Sequence, residues 1–105
     1  MADFKVFVTR TFEEKLCKEE KDFRDWVEKV FDQLNKNPFA GKPLGTKWFR
    51  EKKFKNKRVY FLVFEDKESV YLVDISGKKD QQKIINSILF LLDSYKKEIE
   101  ELVPK

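Results

Sequence analysis

The stretch Lys47–Ile75, KWFREKKFKNKRVYFLVFEDKESVYLVDI, decides the fold. It contains three strand-forming runs, Lys47–Phe54, Arg58–Glu65 and Ser69–Ile75. Only Lys55-Asn56-Lys57 joins the first pair, and Asp66-Lys67 with Glu68 joins the second. Connections this short leave no room for a crossover, so the three runs pair as antiparallel hairpins. In the middle run Val59, Phe61 and Val63 alternate with Arg58, Tyr60, Leu62 and Phe64, which makes it apolar on both sides. That pattern predicts a central strand covered on both faces.

Towards the N-terminus, Asn37–Gly45, NPFAGKPLG, holds two of the three prolines and two of the three glycines and reads as a loop. Before it, Phe23, Val27, Val30, Phe31 and Leu34 recur at helical spacing and stop at Asn37-Pro38. A shorter helix precedes that one, with Thr11 and Glu14 as its capping box and Phe12 and Leu16 as its apolar edge. The two form a helical hairpin. Residues 3–9, DFKVFVT, alternate as a first strand with Phe4, Val6 and Val8 on one face. Beyond Ser76-Gly77 one helix is predicted from about Asp80 to Leu102, buried along Ile84, Ile88, Leu91, Leu92, Tyr95, Ile99 and Leu102. Leu89 and Phe90 fall off that stripe. The order is β-α-α-β-β-β-α. It is an α+β chain of one domain over residues 1–105, with a small, mostly antiparallel sheet packed by the hairpin and the C-terminal helix.

Charge is concentrated rather than spread. The net charge is +4 at pH 7. Residues 1–45 carry nine basic and nine acidic side chains, and residues 59–105 carry seven and nine. Thr46–Arg58 carries seven basic side chains against Glu51 alone. A local field of this kind attracts phosphate and speeds encounter with polyanions. Several chemistries are excluded by composition. There is no histidine, hence no imidazole acid or base, no Ser/His/Asp or Cys/His arrangement and no histidine metal site. The three glycines form neither a P-loop nor a dinucleotide fingerprint, so no metal and no nucleotide cofactor is expected. The single cysteine, Cys17, reads as an inert small apolar residue. With no membrane-span or signal-peptide pattern, a cytoplasmic location is expected.

Element order and particular segments together resemble the RelE/ParE superfamily of toxins from prokaryotic toxin–antitoxin systems. The matching segments are NPFAGKPL, FREKKFKNKRVYFLVFED and VYLVDISGKKDQQKIINSI. Each is short, and with the element order the likeness covers nearly the whole chain. The likeness is greatest to the RelE-like branch, whose members cut messenger RNA in the ribosomal decoding site. ParE-like members inhibit DNA gyrase on the same fold, and shared fold does not settle function.

The resemblance implies a metal-independent endoribonuclease that inhibits translation, with a cognate antitoxin as protein partner and a monomeric toxin. Attack of a ribose 2′-OH on the adjacent phosphate needs a proton acceptor, cations for the phosphorane and a donor for the leaving oxygen. Carried over residue by residue, the family pattern puts Arg50 and Lys52 on the first strand of the basic hairpin. It puts Arg58 on the scissile phosphate and Lys79, after Lys78, on the transition state. Lys52 is the expected base or electrostatic partner, its pKa lowered by crowding cations. The orienting tyrosine of some members has no match near Gln81-Gln82, and Glu51 is expected to point away from Arg50 and Lys52. The alternatives are a non-enzymatic ParE-like gyrase inhibitor and an inactive RNA- or ribosome-binding module.

Around that cluster Lys47, Lys53, Lys55, Lys57 and Lys78 form an expected RNA-attracting fringe. The bland reading of such lysines is a solvated edge strand protected against aggregation. Trp48 is the candidate for base stacking, Phe49 for the core. Tyr60 reads as a core tyrosine on the same face as Arg58. The apolar stripe of the last helix reads most simply as core. The functional variant, as in RelE-like complexes, is a groove beside it that receives an antitoxin helix, and the antitoxin is expected to cover the basic face or displace that helix.

Overall fold

The structure, a computed structural model, describes residues 3–104. Strand β1 (Lys5–Val8) leads to helices α1 (Arg10–Cys17) and α2 (Lys21–Lys36). Strands β2 (Lys42–Thr46), β3 (Phe49–Phe54), β4 (Lys57–Phe64) and β5 (Ser69–Gly77) follow, then helices α3 (Gln81–Phe90) and α4 (Leu92–Leu102). The five strands form one sheet in the order β1-β5-β4-β3-β2, so β4 is central as its two-sided apolar pattern requires. Among the described residues β1 and β5 run parallel and the other pairs are antiparallel.

Both faces of the sheet are covered. On one, α1 and α2 bury Phe12, Val27, Val30 and Leu34 against Val59, Phe61, Val70 and Leu72. On the other, α3 and α4 bring Ile88, Tyr95 and Ile99 onto Phe49, Tyr60, Leu62, Tyr71 and Val73. Each fully buried side chain of this size contributes about 1.5–3 kcal/mol by leaving water. These two layers therefore fix the strand register. A one-residue slip would turn both sets inside out.

Four features differ from the sequence expectation. The N-cap of α1 is Thr9, not Thr11: its Oγ1 accepts from the Phe12 N–H at 3.0 Å and donates to the Val73 carbonyl at 2.9 Å. Cap and cross-strand tie are thus one buried hydroxyl. The 37–45 loop contributes an edge strand, β2, whose pairing with β3 slips between Pro43 and Thr46. An edge position tolerates the proline because one side of the strand has no ladder to fill. The connection after β4 is a 3-10 turn, Glu65–Lys67, closed by Glu68 at φ +47. Finally, the C-terminal helix breaks at Leu91, whose N–H is shared between the Ser87 and Ile88 carbonyls. No proline or glycine marks the break. The new axis turns Leu92, Tyr95 and Ile99 onto the sheet and leaves Phe90 88% exposed, with Leu89, Leu91 and Leu102 also exposed.

Tyr71 anchors α4 to the sheet. Its hydroxyl donates to Glu98 Oε1 at 2.5 Å, and its ring meets Tyr95 edge to face. Burial raises the pKa of both tyrosines, that of Tyr95 to about 12; for Tyr71 the bond to Glu98 adds to the effect of burial. Cys17 is exposed at the end of α1, not a packed apolar residue. No helix of the described residues is long and apolar enough to cross a membrane.

Candidate nucleic-acid interface

β2 pairs with β3 only as far as Lys42 opposite Glu51, so β3 is a free edge from Lys52 onward. A cleft of about 460 Å³ straddles that edge. Its walls are Trp26 from α2, Gly41 and Lys42 from the entry to β2, Glu51, Lys52 and Lys53 from β3, Arg58 from β4 and Gln81 from α3. Gly41, at φ +83, is required here, because a Cβ would lie 2.4 Å from the Glu51 carbonyl oxygen.

Arg58 stands opposite Lys53 across the β3–β4 pair, on the α3 side of the sheet. Its side chain is 10% exposed, and among the described residues neither Nε nor Nη1 has a hydrogen-bond partner. Glu51 Oε1 lies 4.0 Å from Nε, near enough for Coulomb attraction and too far for a hydrogen bond. The Glu51 carboxylate instead accepts from Gln81 Nε2 at 3.1 and 3.4 Å. Beneath them the Tyr60 hydroxyl shares a 2.8 Å hydrogen bond with Ser76 Oγ. Burial raises the Tyr60 pKa in spite of that bond, and Tyr60 is fully buried, as a core tyrosine should be. A buried charged donor without an acceptor costs about 1–3 kcal/mol, a cost that an anion in the cleft would relieve.

Lys52 reaches the cleft from the opposite side of the sheet, where it pairs with Val59. Both side chains line one cleft only because β3 ends the sheet there. The Lys52 pKa is lowered, as expected for a candidate base, but the cause is burial and not crowding by other cations.

Arg50, Lys52, Arg58 and Lys79, expected together from sequence, do not form one cluster. Arg50 shares the Lys52 face, opposite Phe61, and its guanidinium is engaged. Nε, Nη1 and Nη2 donate to the carbonyls of Ala40, Lys47 and Gly41 at 3.0, 3.0 and 3.1 Å. The same group lies over the Phe39 ring. Lys78 and Lys79 are exposed in the turn before α3 and do not line the cleft.

The expected fringe disperses too. Lys53 lines the cleft. Lys47 sits at the far end of β3, 3.3 Å from Glu65. Lys55, in the β3–β4 turn at φ +55, lies over the Phe54 ring, and Lys57 pairs with Glu19 of the α1–α2 connection at 3.1 Å. Trp48 packs beside Phe64 and Leu92 at the Lys47 end, and Phe49 is buried as expected. Glu51 points away from Arg50 and Lys52, as alternation predicts.

Five cleft residues were outside the expected site: Trp26, Gly41, Lys42, Glu51 and Gln81. Trp26 carried a usable signal, since it lies three residues after Phe23 on the border of the α2 stripe. Lys42 belongs to a strand hidden in a Pro/Gly-rich loop. The Glu51–Gln81 contact joins residues 30 apart, and helix placement alone determines it.

No protein-family model and no curated protein matches the sequence. Solved structures do match. A mutant of Escherichia coli toxin RelE in the free state aligns with a TM-score of 0.67 at 19% identity, over 82% of this chain and 93% of that one. The toxin–antitoxin complex RelBE2 from Mycobacterium tuberculosis gives 0.62 at 21%, over 73% and 93%. The archaeal RelE–RelB complex from Pyrococcus horikoshii gives 0.60 at 16%, over 72% and 96%. By element order, sheet topology and these likenesses, the chain has the fold of the RelE toxins.

Proposed function

We propose that this chain is a RelE-like toxin that binds messenger RNA, in the ribosome and in the cytoplasm, and cleaves it without a metal ion. The single observation that carries the reading is Arg58, a buried guanidinium whose Nε and Nη1 have no acceptor among the described residues, in a lysine-lined cleft. A phosphodiester supplies the acceptors this group lacks, in a geometry that suits a guanidinium fork. Lys52, its pKa lowered by burial, takes the proton of the ribose 2′-OH. The 2′-oxygen bonds to phosphorus, the bond to the 5′-oxygen breaks, and the leaving oxygen takes a proton from the Lys53 ammonium. Arg58 and Lys42 balance the charge that builds on the phosphorane.

Two roles differ from the sequence expectation. Arg50 holds the 40–47 loop and thereby places Gly41 and Lys42 in the cleft wall. Lys79, with Lys78, steers RNA from outside the cleft. The partner is an antitoxin, supported by the RelB complexes among the similar structures and by the exposed Leu89, Phe90 and Leu91 beside the helix break.

Incubating messenger RNA with the protein, with and without ribosomes, tests the reading. Cleavage that depends on Arg58 and survives chelation of divalent ions is the expected result. Salt-dependent ribosome binding without cleavage would make the chain an RNA-binding module. Gyrase inhibition with neither would place it with ParE-like inhibitors.

A further inference from the structure

The cleft has an aromatic wall as well as a cationic one. Trp26 stands one turn of α2 after Phe23, and its ring is braced from behind by Phe54 (centroids 5.1 Å apart) and Phe23 (5.7 Å). It is half-buried, and its remaining surface lines the same cleft as Arg58. Trp48, the other tryptophan, lies at the opposite end of β3 beside Leu92 and outside the cleft. Between Trp26 and Arg58 runs the unpaired edge of β3, carrying Lys52 and Lys53.

We infer that Trp26 is a stacking platform for the nucleobase next to the phosphate held by Arg58. A single strand crossing the β3 edge from the α3 side to the α2 side meets Arg58 first, then Lys53 and Lys52, then the tryptophan. The volume of about 460 Å³ is in the range of small-molecule sites, too small for a duplex, and one unpaired nucleotide is the matching occupant. A ring fixed by two aromatic neighbours loses little freedom when a base stacks on it, and single-stranded nucleic acids are held in this way on aromatics beside a cationic track. Stacking of this kind accepts any base by its π-face, so it positions the nucleotide without reading its identity.

The inference rests on the reading of the cleft as an RNA site, and the test separates the two. In a Trp48→Phe background Trp26 is the sole tryptophan. The probes are a 2′-O-methyl oligoadenylate, which cannot be cleaved, and the same oligonucleotide with one abasic position. Binding should quench Trp26 emission. Trp26→Leu should weaken binding of the intact oligonucleotide about tenfold, and Trp26→Phe should recover most of the loss. The abasic probe, placed in register, should bind both variants alike. Binding that depends on Arg58, with unchanged Trp26 emission and equal affinity in Trp26→Leu, would overturn the stacking role and leave the RNA reading intact. No Arg58-dependent binding of either probe would overturn both.

Discussion

Arg50 and Arg58 lie on adjacent strands of one hairpin and differ in almost every physical respect. Arg50 donates to three backbone carbonyls of the loop it clamps and leans on Phe39. Arg58 is more deeply buried, and its Nε and Nη1 have no acceptor among the described residues. Formal charge and family position make the two look equivalent; hydrogen-bond bookkeeping does not. A satisfied guanidinium holds structure, whereas an unsatisfied buried one is available to an anion. Alternation along β3 and β4 puts the two on opposite faces of the sheet, and the β4 side opens to ligand only where the β3 edge is free.

The largest effect expected from this contrast is at Arg58. Arg58→Ala should lower RNA cleavage, and the toxicity that follows from it, by about 100-fold or more, the range for removing one group that stabilises transition-state charge. Its near-ultraviolet circular dichroism should stay native. Arg50→Ala should do the reverse. Loss of three carbonyl partners in a part-exposed setting costs about 2 kcal/mol, read as a fall of roughly 10 °C in melting temperature. Cleavage per folded molecule should change by less than the Arg58 effect by an order of magnitude or more. If the two variants exchange these phenotypes, the contrast is wrong.

Glu51→Gln sharpens the same contrast from the other side. The carboxylate stands 4.0 Å from Arg58 and repels an incoming phosphate. Neutralising it should tighten binding of a non-cleavable oligonucleotide about fivefold at low salt, and less at high salt. A smaller effect concerns α4. Tyr71 and Tyr95 have pKa values above the usual 10, so the stability they confer is complete below pH 10 and is lost as pH rises towards 12. Thermal melts across that window should show a decline that Tyr71→Phe lessens, with about 1 kcal/mol lost at neutral pH. Smallest of all, Lys47→Ala should change oligonucleotide affinity less than twofold, since Lys47 sits at the far end of β3 with Glu65 as its partner.

The three hairpin strands, the central place of β4 and the two N-terminal helices were legible because periodicity and connection length report burial directly. β2 was not, because an edge strand needs no apolar alternation and its Pro43 and Gly45 read as turn. Nor was the break at Leu91, which lacks a breaker residue and follows from how α4 must tilt to seat Tyr95 and Ile99. In the cleft, Arg58 was expected from family position and Lys52 from position and residue type, and both line it. Arg50, expected beside them, instead donates to loop carbonyls and does not line the cleft, for a specific reason. Spacing of two assigns a side chain to a face, but it does not say whether that face meets solvent or the carbonyls of a neighbouring loop. Glu51 and Gln81 touch only because α3 lands on β3, a tertiary fact with no local signature.

The central claim, that Arg58 and not Arg50 is the anion-binding arginine, is tested most directly by the salt dependence of binding to a non-cleavable single-stranded RNA. Log affinity against log salt should have a slope smaller by about 0.7 in Arg58→Ala than in the unmodified protein, one phosphate contact on a single strand, and an unchanged slope in Arg50→Ala. A slope unchanged in Arg58→Ala, or reduced in Arg50→Ala instead, would contradict it.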